Sequence, residues 1–360
     1  MRERIDNRRL GVEGRKFVLF TNNLPRAASV LNLFDVWDAN LMVVGTKRVY
    51  KQISELCPQF LKTIEFRLLR NIDCDVLYHD VKAFKPDYVM TFLFLSKLPT
   101  RLFTLASRLA FNFHPSLLPY YKGGAPYTKP LENNDEIFGY SVHELTSEFD
   151  EGVILHQIQK PVRVVETEYS LIMQAGPLAV EALKTFLPKL EKDALDAFDN
   201  PNDLPLAKRR RFKEFWFNPA LNCDELERLT RARNIQQGPQ VNIQSQRPKG
   251  PAFMPLRIHE VLIRRNFPEE VLAMDVGQLM LVAENAYVKV GDGVLEITVV
   301  THPEFGIMSM KRYCQIEGVA QQQPVQLIFP GDVEGNKPLA DKLAEWYYRE
   351  LNEKFSPDNW

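Results

Sequence analysis

Cysteine is sparse in this chain and unpatterned. Cys57, Cys74, Cys223 and Cys314 are scattered through 360 residues with no C-x-x-C spacing. Such spacing argues against a zinc knuckle and a disulfide framework, and suits a reducing compartment. Histidines do not cluster either: His79, His156, His259 and His302 stand apart, so no metal is expected. No run of 18 apolar residues occurs, which leaves no candidate for a membrane-crossing helix. The opening Met-Arg-Glu-Arg-Ile-Asp-Asn-Arg-Arg lacks the apolar centre of a secretory signal, so a cytoplasmic location without a membrane partner is expected. Charge of one sign is not in excess, with 45 basic against 46 acidic residues and a formal charge of −1. No global field therefore draws the chain to nucleic acid. Internal repeats and low-complexity blocks are missing as well. After the first apolar run, Lys16 to Phe20, comes Thr21-Asn22-Asn23-Leu24-Pro25 in place of the glycine-rich turn that a nicotinamide-dependent dehydrogenase requires.

What the chain has is length for two domains and an alternation of short apolar runs with helical stretches. Lys16–Phe20, Asn40–Gly45, Cys74–Tyr78, Asp87–Leu95 and Arg108–His114 read as successive strands, with a helix from Ala27 onward. This pattern predicts an α/β fold, a Rossmann-like and mostly parallel sheet with helices on both faces. Phe138–His143 and Val153–Ile158 read as further strands, and Tyr169–Leu187 as a closing helix. The expected boundaries are a loose extension over 1–14, a catalytic domain over 15–192 and an Asp-, Asn- and Pro-rich linker over 193–206. Short strands with turn signals between 255 and 300 then predict a small β-barrel inside a domain over 207–325. A tail over 326–360 carries an amphipathic helix from Asn336 to Phe355, with Leu339, Leu343, Trp346, Tyr347 and Leu351 on one face. The basic run Lys208-Arg-Arg-Arg-Phe-Lys213 reads either as a solvated start to the second domain or as a patch facing phosphates.

Phe111-Asn-Phe-His-Pro-Ser-Leu-Leu-Pro119 holds the chemistry. Asn112 and His114 lie two apart in an apolar run, so a strand points both to one face. Pro115 and Pro119 end the strand, and Tyr120-Tyr-Lys-Gly-Gly-Ala-Pro126 continues as a loop in which Gly123 and Gly124 permit close backbone approach. Asp150, in Glu148-Phe-Asp-Glu-Gly152, sits in a turn before the next strand and near the same sheet end. A lone Asn or Asp at such positions is ordinarily a cap or a turn residue. Three polar groups converging on the carboxyl end of a parallel sheet, where ligands bind, make a site.

Asn112-x-His114-Pro-Ser-Leu-Leu-Pro, the Gly123-Gly124-Ala-Pro loop and Asp150-x-Gly152, in that order, resemble the folate-dependent formyltransferases. The resemblance runs over about residues 15–200, and more weakly to about 300, where it implies an OB-like barrel. It implies 10-formyltetrahydrofolate as co-substrate, no metal, and an amine acceptor. Asn112 would then donate to the oxygen on which charge develops, and His114 would donate or shuttle a proton. Asp150 would orient the imidazole or take the amine proton, and which of the two is the base stays open. By position in the family, Phe92, Leu93, Phe94, Leu95 and Ser96 together with His143, Glu148 and Phe149 would border the folate. Ser116, Tyr120, Lys122, Gly123 and Gly124 would form the acceptor loop.

Two departures bear on the acceptor. Only Thr46-Lys-Arg48 follows the second strand, where methionyl-tRNA formyltransferases carry a longer basic insertion. The first strand ends in Thr21-Asn22-Asn23 rather than the Gly-Thr-Pro of that enzyme. A small-molecule amine, such as a nucleotide-linked aminosugar or an amino-acid-derived amine or hydroxylamine, is therefore the expected acceptor. Charged initiator tRNA, hydrolytic release of formate, and a non-catalytic folate- or RNA-binding module are the alternatives. A homo-oligomer is compatible with all of them.

Overall fold

The computed structural model describes residues 12–197, 216–234, 238–246 and 253–328. Most of the N-terminal extension, the linker beyond residue 197, the basic run Lys208–Lys213 and the tail helix fall outside the described residues. The chain divides into two compact units, the first within 1–130, 135–163 and 170–208, the second within 131–134, 164–169 and 209–360.

In chain order the first part runs β1 (Lys16–Phe20), α1 (Leu24–Val36), β2 (Asn40–Gly45), α2 (Lys47–Leu56), β3 (Ile64–Leu68), α3 (Asp75–Phe84) and β4 (Tyr88–Phe92). It continues with α4 (Thr100–Phe103), β5 (Leu109–His114), α5 (Thr128–Glu132), β6 (Ile137–Glu144), β7 (Ile154–Pro161), α6 (Glu168–Met173) and α7 (Ala175–Glu191). The strands form one seven-stranded sheet in the order β3-β2-β1-β4-β5-β6-β7. β1 to β5 pair in parallel, and β6 and β7 return antiparallel. The α/β expectation holds.

Period-two alternation sends each strand's side chains to opposite faces, and both faces are covered. Val18, Phe20, Met42, Val44 and Val89 pack against Leu77, Val81 and Phe84 of α3 and Leu102 and Phe103 of α4. On the other face Phe17 meets Phe34 of α1 with ring centroids 4.7 Å apart, and Phe111 meets Phe186 of α7 at 5.3 Å. The last residue of α7, Glu191, pairs with Arg15 at 2.8 Å and Arg108 at 3.4 Å, and accepts from the Tyr88 hydroxyl. That tie fixes the end of α7 beneath the amino ends of the strands.

Two sequence expectations need correction. Cys74–Tyr78 is not a strand: it opens α3, with Asp75 in the first turn where the helix dipole favours an acid. The third strand is Ile64-Glu-Phe-Arg-Leu68, an edge strand whose residues are all at least partly exposed, so the pattern of a buried strand is missing. The closing helix is also two helices, broken at Gln174.

The second unit contains α8 (Cys223–Arg231), β8 (Gln240–Gln244), β9 (Phe253–Ile263), β10 (Gln278–Val282) and β11 (Asn285–Lys289). β12 (Val294–His302), β13 (Gly306–Ser309), α9 (Met310–Glu317) and β14 (Val325–Ile328) complete it. The order β11-β10-β14-β8-β9-β12 closes through a β11–β12 pairing into a six-stranded antiparallel barrel, with β13 added outside on β12. Val241, Ile243, Leu256, Ile258, Leu279, Leu281, Leu295 and Ile297 alternate inward to fill it. The predicted barrel is present. α8 begins with a reciprocal cap between Asn222 and Glu225.

Candidate active site

β1 and β4 lie side by side where the strand order reverses direction, the place where open α/β sheets bind ligands at their carboxyl ends. There the backbone N–H of Asn22 donates to the carbonyl of Leu93 at 3.2 Å, joining the loops that follow the two strands. One row of the sheet is polar across three neighbouring strands. Thr91 of β4 is in register with Asn112 of β5, and Asn112 with His143 of β6. The same row continues through Phe20 of β1 on one side and Ile154 of β7 on the other. The polar interval therefore begins and ends at hydrophobic residues.

Side-chain contacts follow the row. Thr91 Oγ1 donates to Asn112 Oδ1 at 2.6 Å, and Asn112 Nδ2 lies 3.0 Å from His143 Nε2. His143 Nδ1 donates to the Glu144 carbonyl at 2.8 Å. His114, two residues beyond Asn112, places Nδ1 3.3 Å from Asp150 Oδ1 and Nε2 2.9 Å from the Tyr121 carbonyl. Both ring nitrogens face acceptors, so the form that satisfies both carries two N–H groups, an imidazolium beside a carboxylate. Asp150 Oδ1 is also 3.5 Å from His143 Nε2, and Oδ2 accepts the Gly123 N–H at 2.9 Å. Burial pushes the Asp150 carboxyl up. The charge and hydrogen bond of His114 lead the contributions that outweigh burial and hold it well below the usual carboxylate range. The carboxylate is ionised at neutral pH.

Three non-glycine residues on the bordering loops adopt left-handed backbone: Leu93 (φ 54°), Tyr121 (φ 57°) and Asp150 (φ 57°). Strain of this kind concentrates at functional sites. Gly152 completes the Asp150 turn so tightly that a Cβ there would lie 1.9 Å from the Glu144 carbonyl oxygen, the same oxygen that holds His143. Gly152→Ala is expected to cost about 2–4 kcal/mol of stability, read as a lowered midpoint in urea unfolding.

The sequence-selected residues divide into three groups. Asn112, His114, Asp150 and His143 come together in one cluster, joined by the backbone at Gly123. Phe92 is fully buried against Phe113, and Phe94 packs on Phe20, so both belong to the sheet core. Leu95 is 80% exposed and Phe149 48% exposed, with Ser96 and Glu148 also at the surface. Their two loops touch: Lys97 Nζ lies 3.1 Å from Glu148 and 6.0 Å from the Phe149 ring. In the acceptor loop Ser116 turns inward and donates to the Tyr120 carbonyl at 2.6 Å, Lys122 is buried, and Tyr120 and Gly124 face solvent. Thr91 was not anticipated as a partner of Asn112, nor the Tyr121 carbonyl as a partner of His114. Only the strand register exposes the first, and only the fold of the loop the second.

Residues 62–185 match the family model described as formyl transferase. A methionyl-tRNA formyltransferase of Lactobacillus delbrueckii subsp. bulgaricus is 30% identical over 164 residues, covering 45% of this chain and 52% of that protein. The chain thus spans about half the length of the curated relatives it matches. Among solved structures, HypX from Aquifex aeolicus in complex with tetrahydrofolic acid superposes with a TM-score of 0.60 at 13% identity, over 85% of this chain and 48% of that one. WlaRD, a sugar 3N-formyl transferase solved in the presence of dTDP and 5-N-formyl-THF, gives 0.56 at 16% identity, over 79% of this chain and 96% of its own. At such identities the structural likeness speaks to the fold, while the sequence match covers β5, the acceptor loop and the Asp150 turn. On that match, residues 62–185 carry the signature of a formyl transferase domain.

Proposed function

We propose that the chain is an N-formyltransferase that moves the formyl group of 10-formyltetrahydrofolate to an amine. The observation that carries this reading is the grouping of Asn112, His114 and Asp150 at the carboxyl end of β5, with His114 3.3 Å from Asp150 and with His143 standing between Asn112, at 3.0 Å, and Asp150, at 3.5 Å. Folate supplies the formyl donor. An exposed apolar surface on two touching loops, Leu95 and Phe149, fits the flat ring of such a ligand. Asn112 has an amide N–H for the formyl oxygen as charge develops on it. The amine nitrogen bonds to the formyl carbon while the bond to N10 breaks, so one proton must leave the amine and one must reach N10. The ionised Asp150, charge-balanced by His114, is the group suited to carry that proton.

For the acceptor we favour a small-molecule amine. β2 ends at Gly45 and α2 begins at Lys47, with Thr46 as its N-cap, so no segment intervenes where a tRNA-reading insertion would sit. The curated relatives, as methionyl-tRNA formyltransferases, favour the second reading, charged initiator tRNA. Both are tested by following tetrahydrofolate release from 10-formyltetrahydrofolate with a nucleotide-linked aminosugar, with initiator methionyl-tRNA and with no acceptor. Fast release with the aminosugar alone is the expected result. Release only with the tRNA would overturn the small-molecule reading, and equal release without acceptor would make the chain a hydrolase.

A further inference from the structure

We infer that Thr91 and His143 are positioning residues that fix the Asn112 amide in one orientation, each holding one end of it; this rests on the reading of Asn112 as the donor to the formyl oxygen. The strand register delivers the three side chains as a row on one face of β4, β5 and β6. His143 is 2% exposed, and its Nδ1 is 2.8 Å from the Glu144 carbonyl. A carbonyl only accepts, so in the neutral ring the proton sits on Nδ1 and Nε2 presents a lone pair. That lone pair faces Asn112 Nδ2 at 3.0 Å and takes one of its two hydrogens. At the other end the Thr91 hydroxyl donates to Oδ1 at 2.6 Å.

An amide turned over by 180° would set its oxygen against the Nε2 lone pair, two acceptors facing each other in a buried place. The backbone carbonyl of Glu144 therefore decides, through the histidine tautomer, which way Asn112 points. Because the amide is planar, fixing one N–H fixes the direction of the other, and that second N–H is the donor the reaction uses. His143 Nε2 also lies 3.5 Å from Asp150 Oδ1. With a lone pair on Nε2 this contact is not a hydrogen bond. Were Nε2 to carry the proton, the ring would turn to Asp150 and release Asn112.

The test uses the full chain with histidine labelled by 15N in the ring, the His143 signals being assigned by their loss in His143→Gln. Long-range proton–nitrogen spectra at neutral pH are expected to show a neutral ring protonated at Nδ1. A ring protonated at Nε2, or at both nitrogens, overturns the inference. The kinetic arm uses Thr91→Val, which deletes the hydroxyl at nearly constant volume. It is expected to lower kcat about tenfold while KM for 10-formyltetrahydrofolate stays within about twofold, and Thr91→Ser to recover most of the loss. A Thr91→Val enzyme with wild-type kcat, or one whose loss lies wholly in KM, overturns it too. The two readings fail separately. Wild-type protein that shows the Nδ1 signature yet turns over no acceptor refutes the reaction and leaves the amide lock standing. Wild-type turnover with the opposite tautomer does the reverse.

Discussion

Asn112→Ala is expected to lower kcat for formyl transfer by about 10²–10³-fold, the loss found when one preorganised donor is removed from an acyl-transfer site. KM for the folate is expected to move little, since an interaction made only as charge develops on the oxygen does not contribute to ground-state binding. Asn112 is only partly buried, but the change leaves the buried Thr91 hydroxyl and His143 Nε2 without this partner, so a modestly lowered melting midpoint is expected beside the loss of turnover. Single-turnover kinetics beside a thermal melt separates the outcomes. A variant that melts like wild type and still transfers formyl at near wild-type rate would remove Asn112 from the chemistry.

Asp150→Asn should lower turnover by about 10²–10⁴-fold, because it takes away the proton carrier and leaves His114 Nδ1 beside an amide. It also changes the response to acid, and the direction is set by the depressed carboxyl. A carboxyl with a lower pKa in the folded than in the unfolded chain adds stability above the unfolded value, near about 3.9. That contribution disappears as pH falls from there toward the lower folded value. Wild-type protein should therefore lose urea resistance between neutral pH and the acid range more steeply than Asp150→Asn, which has no carboxyl to protonate. Parallel curves for the two proteins would mean that the His114–Asp150 pair contributes nothing to folding.

Asn112 and His114 were legible because period two in an apolar run leaves no doubt which face they share. Asp150 was legible through its turn. His143 was visible as a candidate for the folate pocket, but its bond to Asn112 depends on the pairing of β6 with β5, and register is set by contacts distant in sequence. Nothing in the sequence marks Thr91 as a partner of Asn112, a threonine in a strand being ordinary. The fold itself was read from buried strands and failed at β3, where an edge position removes the hydrophobic run that marks a strand. Ser116, expected in the acceptor loop, also closes that loop's own turn through the Tyr120 carbonyl, a bond that depends on the fold of the loop.

Because β6 runs back against β5, the amide is gripped by strands of opposite direction that arrive at different stages of chain return. Thr91 and Asn112 are 21 residues apart in sequence, whereas Asn112 and His143 are 31 apart and need the intervening proline-rich loop to close first. A refolding molecule can complete its five parallel strands and bury most of its first core while Asn112 is still held at one end only. Recovery of formyl transfer would then trail recovery of helical signal and of core fluorescence.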